Sequence, residues 1–318
     1  MSLQRLGPIR ELDGNASGWG FFLCARKELR TGRTGTEYLD LLLQDVTGEI
    51  RAKVFQDVST IKQEFDAGEF VKVLGRGNVF NQRLELVLEK IRRVLPDRDR
   101  EDGFREEDCI RSSPRPLDDM WEELAGRIAS VTDPHLRQLL ELIVERHGDR
   151  LRVWPAAQVV HHAYRGGLLE HILQIMTVVD ALAGIYDARR DLLIAGALLH
   201  DIGKLQELSY DVSTEYSIEG NLVGHISIGV GMVRDAVGGI SGFPDDLRLE
   251  VEHLVLSHHG SRELGSPVEP MTVEAFLLAK ADDLDATIHQ VRKHMDEDES
   301  DGPFTAYNRR LERVLFKR

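Results

Sequence analysis

Only two of the 318 residues are cysteine, Cys24 and Cys109. They lie far apart on different segments, which excludes a disulfide-built scaffold and points to free thiols in a reducing cytoplasm. No uninterrupted apolar run reaches the roughly 18 residues that would span a bilayer. The N-terminus lacks the basic-then-apolar layout of a secretory signal. The expectation is a cytoplasmic chain with no membrane partner. Positive charge is not in excess either: 40 Lys and Arg stand against 54 Asp and Glu, a net of −14. That balance argues against a protein that coats nucleic acid through bulk charge. No internal repeat is visible, and no Ser or Cys nucleophile signature. What the chain does have is 42% hydrophobic residues, enough for ordinary packed cores. Its length suits two domains better than one.

The charge divides unevenly. Residues 1–95 carry 15 basic and 13 acidic side chains, and the remainder carries 25 and 41. The first part is therefore near neutral, the second strongly acidic. From Trp19 to Val94 the hydrophobic pattern alternates with a period of two. It predicts strands over 17–30, 36–44, 49–55, 69–80 and 83–94, with a short helix over 58–65 and a turn at Asn81-Gln82. Strand, strand, strand, helix, strand, strand is the order of a five-stranded OB barrel, and YLDLLLQDVTGEIRAKVF resembles the second hairpin of that fold. Residues 96–116 are charged, proline-containing and poor in aliphatics, and read as a linker. Beyond Leu117 the period becomes helical, with helices expected over 117–130, 134–147, 168–184, 189–201, 225–237, 246–258 and 271–293. Asp133 with Pro134 reads as a helix start and Gly203 as a C-cap. The tail, 296–318, carries at most a final helix. The fold class is thus an all-β OB-type barrel (1–95), a linker (96–116) and an all-α domain (117–318).

The helix over 189–201 ends in the run ALLHDIGK. His200 and Asp201 close a strongly apolar stretch, where an imidazole and a carboxylate are costly unless hydrogen-bonded or metal-bound. His171 precedes them; His225, His258, His259 and Asp282 follow. Imidazole and carboxylate donors without thiolate suit Mn²⁺, Fe²⁺ or Mg²⁺. A lone His-Asp pair is usually structural, and it is the ordered set that carries weight. His161-His162 read as polar surface or loop residues, and His253, on the helix leading to His258, as a surface or supporting group; His135, His147, His289 and His294 have no partner pattern in the sequence, and all are set aside. Lys204 is either a solvated lysine favoured by a helix C-terminus or a phosphate contact that neutralises transition-state charge.

The ordered set His171, His200-Asp201, Asp282 resembles the signature of the HD superfamily of metal-dependent phosphohydrolases. That resemblance implies an all-helical HD-type domain with one ion held by His171, His200, Asp201 and Asp282, Asp283 being the fallback. Two-metal members imply further that Asp201 bridges to a second ion held by His225, His258 and His259. They also favour a catalytic Asp201 and a phosphate-binding Lys204. Two ions a few ångströms apart can activate a water and clamp a phosphoryl group. Mn²⁺ is the first choice, with Fe²⁺, Mg²⁺ or Co²⁺ behind it.

An OB-like domain ahead of HHAYRGGLLEH, HDIGK, SHHG and ADDLDA is similar to the YhaM family of bacterial 3′→5′ exoribonucleases. The resemblance implies hydrolysis of single-stranded RNA, with DNA as a second substrate, to nucleoside 5′-monophosphates. OB barrels hold single strands through basic grooves and stacking aromatics. Trp19, Phe21, Tyr38, Phe55 and Phe80 are the aromatic candidates, though strand alternation sends about half of such side chains inward. Arg26, Lys27, Arg30, Arg33 and Lys53 are the chief basic candidates, with Arg51 and Arg76 beside them; the run 26–33 is the foremost contact loop. Two alternatives stand. One is an HD nucleotide or cyclic-dinucleotide phosphodiesterase with an OB regulatory module, although no GYP motif follows the HD core. The other is a non-catalytic single-strand-binding protein. Homo-oligomers are compatible with the chain, but no interface can be read from it.

Overall fold

A computed structural model of the chain describes residues 4–317 except 33–34, 81–82, 158–163, 211–213, 297 and 299. Arg33, Asn81-Gln82 and His161-His162 lie outside the described residues. Two compact units divide between Ser112 and Ser113.

The first unit is a closed five-stranded barrel in the order β1-β2-β3-β5-β4. Its strands are β1 (Ser17–Thr31), β2 (Glu37–Asp45), β3 (Gly48–Val54), β4 (Phe70–Phe80) and β5 (Arg83–Arg93), with the one-turn helix α1 (Val58–Ile61) between β3 and β4. β3 and β5 pair in parallel, and every other pairing is antiparallel. This is the OB topology expected from the alternation. β1 is long enough to serve both neighbours: Ser17–Leu23 pair with β4, and Leu23–Thr31 pair with β2 across an irregularity at Cys24/Arg26. Leu41, Leu43, Ala52, Phe65, Val71 and Leu86 fill the interior.

Residues 96–112, expected within a linker, fold onto the barrel instead. A short helix α2 (Pro96–Asp99) follows β5, and Phe104 and Cys109 are buried with Phe21, Leu23 and Val94. Composition missed this because the two anchoring apolar residues stand alone among charges. Asp99 ties the segment down. It is fully buried and accepts hydrogen bonds from both terminal nitrogens of Arg92 (2.7 Å each), Leu95 N (2.8 Å) and Lys72 Nζ (3.3 Å).

The second unit is helical: α3 (Leu117–Ala129), α4 (Pro134–Leu151), α5 (Gly167–Tyr186), α6 (Arg190–Leu199), α7 (Lys204–Glu207), α8 (Ile218–Val223), α9 (His225–Val237), α10 (Asp245–Ser257) and α11 (Val273–Asp296), with a small hairpin of β6 (Leu208–Tyr210) and β7 (Thr214–Tyr216). Asp133 caps α4 through the His135 and Leu136 amides, as expected. The hairpin, α7 and α8 were not legible as periodic segments, being three to six residues long. Helix α6 is the centre of the core: all eight residues from Leu192 to Leu199 are buried. Gly196 lets α10 and α11 approach it, since a Cβ there would meet Leu254 at 2.7 Å and Leu278 at 3.1 Å. By length and composition α5 would pass for a membrane span, although Glu170 and Asp180 interrupt its apolar run. Its inward residues, including Glu170 and His171, are buried in the helical core. The described part of the tail forms no helix; Asp298 organises it by accepting from Lys317 Nζ, Ser300 Oγ and Ala306 N.

The Arg92 guanidinium holds the Asp99 carboxyl well below the usual carboxylate range. Removing one partner of such a pair strands the others, so Asp99→Ala is expected to cost about 2–3 kcal/mol. A depressed carboxyl contributes stability that is complete above its unfolded value, about 3.9, and is lost as pH falls towards its folded value. Hydrogen-exchange mass spectrometry should show β4 and β5 exchanging about 30-fold faster or more in the variant at pH 7, with the gap narrowing only under strong acid.

Candidate metal centre

Five helices bring the ordered residues together, mostly at their ends. His171 sits one turn into α5. His200 and Asp201 follow the last residue of α6, His225 opens α9, and His258-His259 follow the last residue of α10. Asp282 lies midway along α11. The ends of α6 and α10 use the same device. His200 Nδ1 lies 2.9 Å from Ala197 O, and His258 Nδ1 lies 2.7 Å from Val255 O. Each ring thus satisfies a last-turn carbonyl that lacks a full set of intrahelical partners. Gly203, expected as a C-cap, is right-handed helical and stands at the entry to α7. Its lack of a side chain serves a close crossing: a Cβ there would meet His225 O at 1.9 Å and Gly229 N at 2.7 Å.

The ligand atoms of His171, His200 and Asp282 lie within 4.8 Å of one another, as do those of His225, His258 and His259. Asp201 joins the two groups. Its Oδ2 is 3.6 Å from His171 Nε2 and 3.4 Å from His200 Nε2. Its Oδ1 is 3.6 Å from His225 Nε2 and 3.7 Å from His258 Nε2. One oxygen therefore faces each group. Asp282 Oδ1 is 3.3 Å from His171 Nε2, whereas the fallback Asp283 is exposed.

All five rings have their Nδ1 engaged. Besides the two carbonyl contacts above, His259 Nδ1 lies 3.0 Å from Leu264 O, His171 Nδ1 2.8 Å from Asp285 Oδ2, and His225 Nδ1 3.0 Å from Glu207 Oε1. Carbonyl and carboxylate oxygens only accept, so each Nδ1 carries the proton and each Nε2 keeps a lone pair when the ring is neutral. Asp201 Oδ1, His225 Nε2 and His258 Nε2 are buried with no hydrogen-bond partner. Three orphaned acceptors facing one another are costly as they stand and fit a divalent cation.

Burial pushes the His258 imidazole well below its ordinary value, helped by its neighbour His200. Burial also opposes charge on His171, but Asp282 and Asp285 on either side outweigh it and lift the group to about 9. Asp201 stays ionised despite burial, because Lys204 and His200 hold it well below the usual range. Lys204 Nζ lies 2.6 Å from Asp201 Oδ2 and is mostly enclosed, so it is no solvated lysine.

The basic candidates of the barrel fare differently. Lys27 is nearly enclosed: Nζ donates to Lys62 O at 2.8 Å and to Phe65 O, and lies over the Phe65 ring. It anchors the chain after α1 and presents no free charge to a strand. Arg30 pairs with Glu28 (2.6 Å) and Asp40 (3.1 Å), and Arg26 faces Glu28 at 3.6 Å. Lys53 pairs with Glu85 at 2.6 Å. Phe21 is buried, and Trp19 packs against it at 5.5 Å. Half-buried Tyr38 and exposed Phe55 instead form a ring pair 5.5 Å apart, and Phe80 is exposed with Lys53 Nζ 5.2 Å from its ring centre. Two residues escaped sequence reasoning, Glu207 and Asp285. Asp285 lies one turn beyond Asp282, the signal that could have found it; Glu207 had none.

The HD domain family matches residues 168–287, which span both histidine groups. The chain is also similar to the 3′-5′ exoribonuclease YhaM of Bacillus pumilus, 35% identical over 263 residues that cover 82% of each protein. The chain belongs to the YhaM family. Membership places it among hydrolytic nucleases and bears out the resemblance read from the sequence. The YhaM of Bacillus subtilis is 34% identical over the same shares, and that of Listeria welshimeri is 32% identical over 86% of each chain. Among solved structures, the second OB-fold domain of replication protein A from Methanococcus maripaludis matches at 24% identity. It covers 29% of this chain and 95% of that one, with a TM-score of 0.24.

A cation bound to His171 must displace the proton held up to about pH 9. Mn²⁺ binding at pH 7 is therefore expected to release about one proton, and apparent affinity should rise with pH until about 9. Calorimetry in buffers of different ionisation enthalpy reads the proton count. At 100 times its dissociation constant the ion should add about 2.7 kcal/mol of stability, reversed by a chelator.

Proposed function

We propose that this chain removes nucleotides stepwise from the 3′ end of single-stranded RNA, releasing nucleoside 5′-monophosphates. The helical unit would hold two divalent ions, Mn²⁺ foremost, and the barrel would hold the strand. DNA is the second candidate substrate. The observation that carries this reading is the divided carboxylate of Asp201, with one oxygen turned to each histidine group and three buried acceptors left without partners. Family membership supports the nuclease chemistry.

His171, His200, Asp201 and Asp282 are the residues fitted to one ion; His225, His258, His259 and the second oxygen of Asp201 are fitted to the other. Divalent ions at such a site supply Lewis acidity towards a phosphate oxygen and acidify a water. The chain's own contribution is positional. The Nδ1 contacts fix each ring's tautomer, and the apolar walls of α6 keep the surroundings dry, where charges act more strongly. Lys204 brings an ammonium next to Asp201, suited to the charge that develops on a phosphate under attack.

On the barrel, alternation along β3 turns Ile50, Ala52 and Val54 inward. Arg51 and Lys53 face outward, and Phe55 continues their side just past the strand's end. With Tyr38 and Phe80, and with Lys53 shared with Glu85, they make an aromatic surface flanked by Arg51, of the kind that stacks bases without sequence preference. This surface, rather than the 26–33 run, is the better candidate for the strand.

Single-stranded RNA labelled at its 5′ end and incubated with Mn²⁺ should yield a ladder shortening from the 3′ end. Asp201→Ala should lose hydrolysis entirely while retaining RNA binding. Undiminished turnover by that variant would sink the reading, and cleavage of small nucleotides alone would favour a phosphodiesterase. Phe55→Ala with Tyr38→Ala should weaken strand binding by about 1–3 kcal/mol per lost stacking contact. That effect should appear in KM with kcat unchanged.

A further inference from the structure

Three of the five histidines rest their Nδ1 on backbone carbonyls. The other two, His171 and His225, rest on the carboxylates Asp285 and Glu207. The two carboxylates are not shared: one serves a ring of the His171/His200/Asp282 group, the other a ring of the His225/His258/His259 group. We propose that Asp285 and Glu207 are positioning residues that set the ion affinity of the two groups separately, one for each. This rests on the two-ion reading above.

Asp285 lies three residues beyond Asp282 on α11, so both carboxylates project from one side of that helix. They hold the His171 ring from opposite edges, Asp282 Oδ1 at 3.3 Å from Nε2 and Asp285 Oδ2 at 2.8 Å from Nδ1. The ligand and its orienter thus move as one body. A ring so held cannot swing its lone pair away from the site without breaking a charged contact.

Glu207 works on a different backbone. It is the last residue of α7, one turn beyond Lys204. Its Oε1 accepts from both His225 N (2.9 Å) and His225 Nδ1 (3.0 Å). The first contact satisfies an amide at the half-buried start of α9, and the second fixes the ring on that same residue. The His225/His258/His259 group contains no acid of its own; Asp201 and Asp282 act on His258 and His259 from the neighbouring group, and Glu207 is the carboxylate that contacts His225.

Neutral amides of the same shape separate charge from geometry. Asn at 285 and Gln at 207 each keep an oxygen that accepts the Nδ1 proton, so the fold is expected to survive. Partners of metal-bound histidines typically account for about 10–100-fold in affinity. Equilibrium dialysis with Mn²⁺ should therefore find two ions per wild-type chain. Glu207→Gln should weaken one of them about 10–100-fold and leave the other unchanged, and Asp285→Asn should do the same to the opposite ion.

Assignment comes from combining each variant with a ligand deletion. In a His258→Ala background, which removes the second group, Glu207→Gln should not alter the remaining ion, whereas Asp285→Asn should weaken it. Electron paramagnetic resonance gives an independent reading. Wild type should show a spin-coupled Mn²⁺ pair, and each variant an isolated-ion signal at intermediate metal concentration. Wild-type affinity at both positions in both variants overturns the assignment alone. Equal weakening of both ions by either substitution also overturns it, since that marks a general structural role. One ion or none in the wild type overturns the two-ion reading and this inference together. If Glu207→Gln does not fold, Asp285→Asn decides the matter by itself, because the two arms are independent.

Discussion

The carboxylate of Asp201 is the constraint on which the helical unit depends. It is almost wholly enclosed, and an ion there without compensation would cost several kcal/mol. Lys204 answers one oxygen at 2.6 Å. The other faces two imidazole nitrogens and has no hydrogen-bond donor among the described residues. A buried acid half satisfied in this way is a poor stabilising element. It makes sense as a group held ionised for a cation, with His171 held protonated by the acids that flank it and His258 held neutral by burial.

Holding it requires rigidity, and the apolar core provides that. Helix α6 delivers His200 and Asp201 from a stretch in which every residue from Leu192 onward is buried, so neither backbone nor rotamer has room to drift. The ligands come from helix ends for a reason that lies in the backbone. Last-turn carbonyls need donors, and a histidine just past the end can supply one through Nδ1 while pointing Nε2 outward. His200 on Ala197 and His258 on Val255 repeat this arrangement on separate helices. The same contact that finishes the helix sets the tautomer of the ligand. Where a histidine stands within or at the start of a helix, as His171 and His225 do, no spare carbonyl is at hand and a carboxylate takes its place.

Periodicity and residue order made part of this molecule legible in one dimension. The barrel strands could be read because Leu39, Leu41 and Leu43 alternate cleanly, and the long helices because their apolar stripes run for ten residues or more. The histidine and aspartate set was legible because its order matches a known signature, and the structure brings all seven residues together. Contacts that depend on what lies opposite were not legible. The charge on Lys27 reads as available in sequence, yet its ammonium meets the carbonyls of Lys62 and Phe65 some 35 residues away. Residues 96–112 read as linker because Phe104 and Cys109 are sparse among charges, although two apolar anchors suffice when a buried Asp99 gathers Arg92 and Lys72. Glu207 has no pattern along the chain, since its partner His225 is brought to it by the crossing at Gly203.

The distribution of charge then bears on how an acidic chain would handle a polyanion. Residues 96–318 carry 16 more acidic than basic side chains, a field that repels phosphate at a distance. Many of their arginines are already spent on acids, as Arg127 on Asp180, Arg189 on Glu250 and Arg248 on Glu252 show. Attraction would therefore have to come from elsewhere. The barrel sequence is near neutral, and its Tyr38, Phe55 and Phe80 offer stacking, which screening by salt leaves largely intact. Bound divalent ions would reverse the field locally, at the one point where a phosphate must approach. On the proposed reading, this combination favours a strand held by its bases and admitted by its end, over a duplex gripped along its backbone.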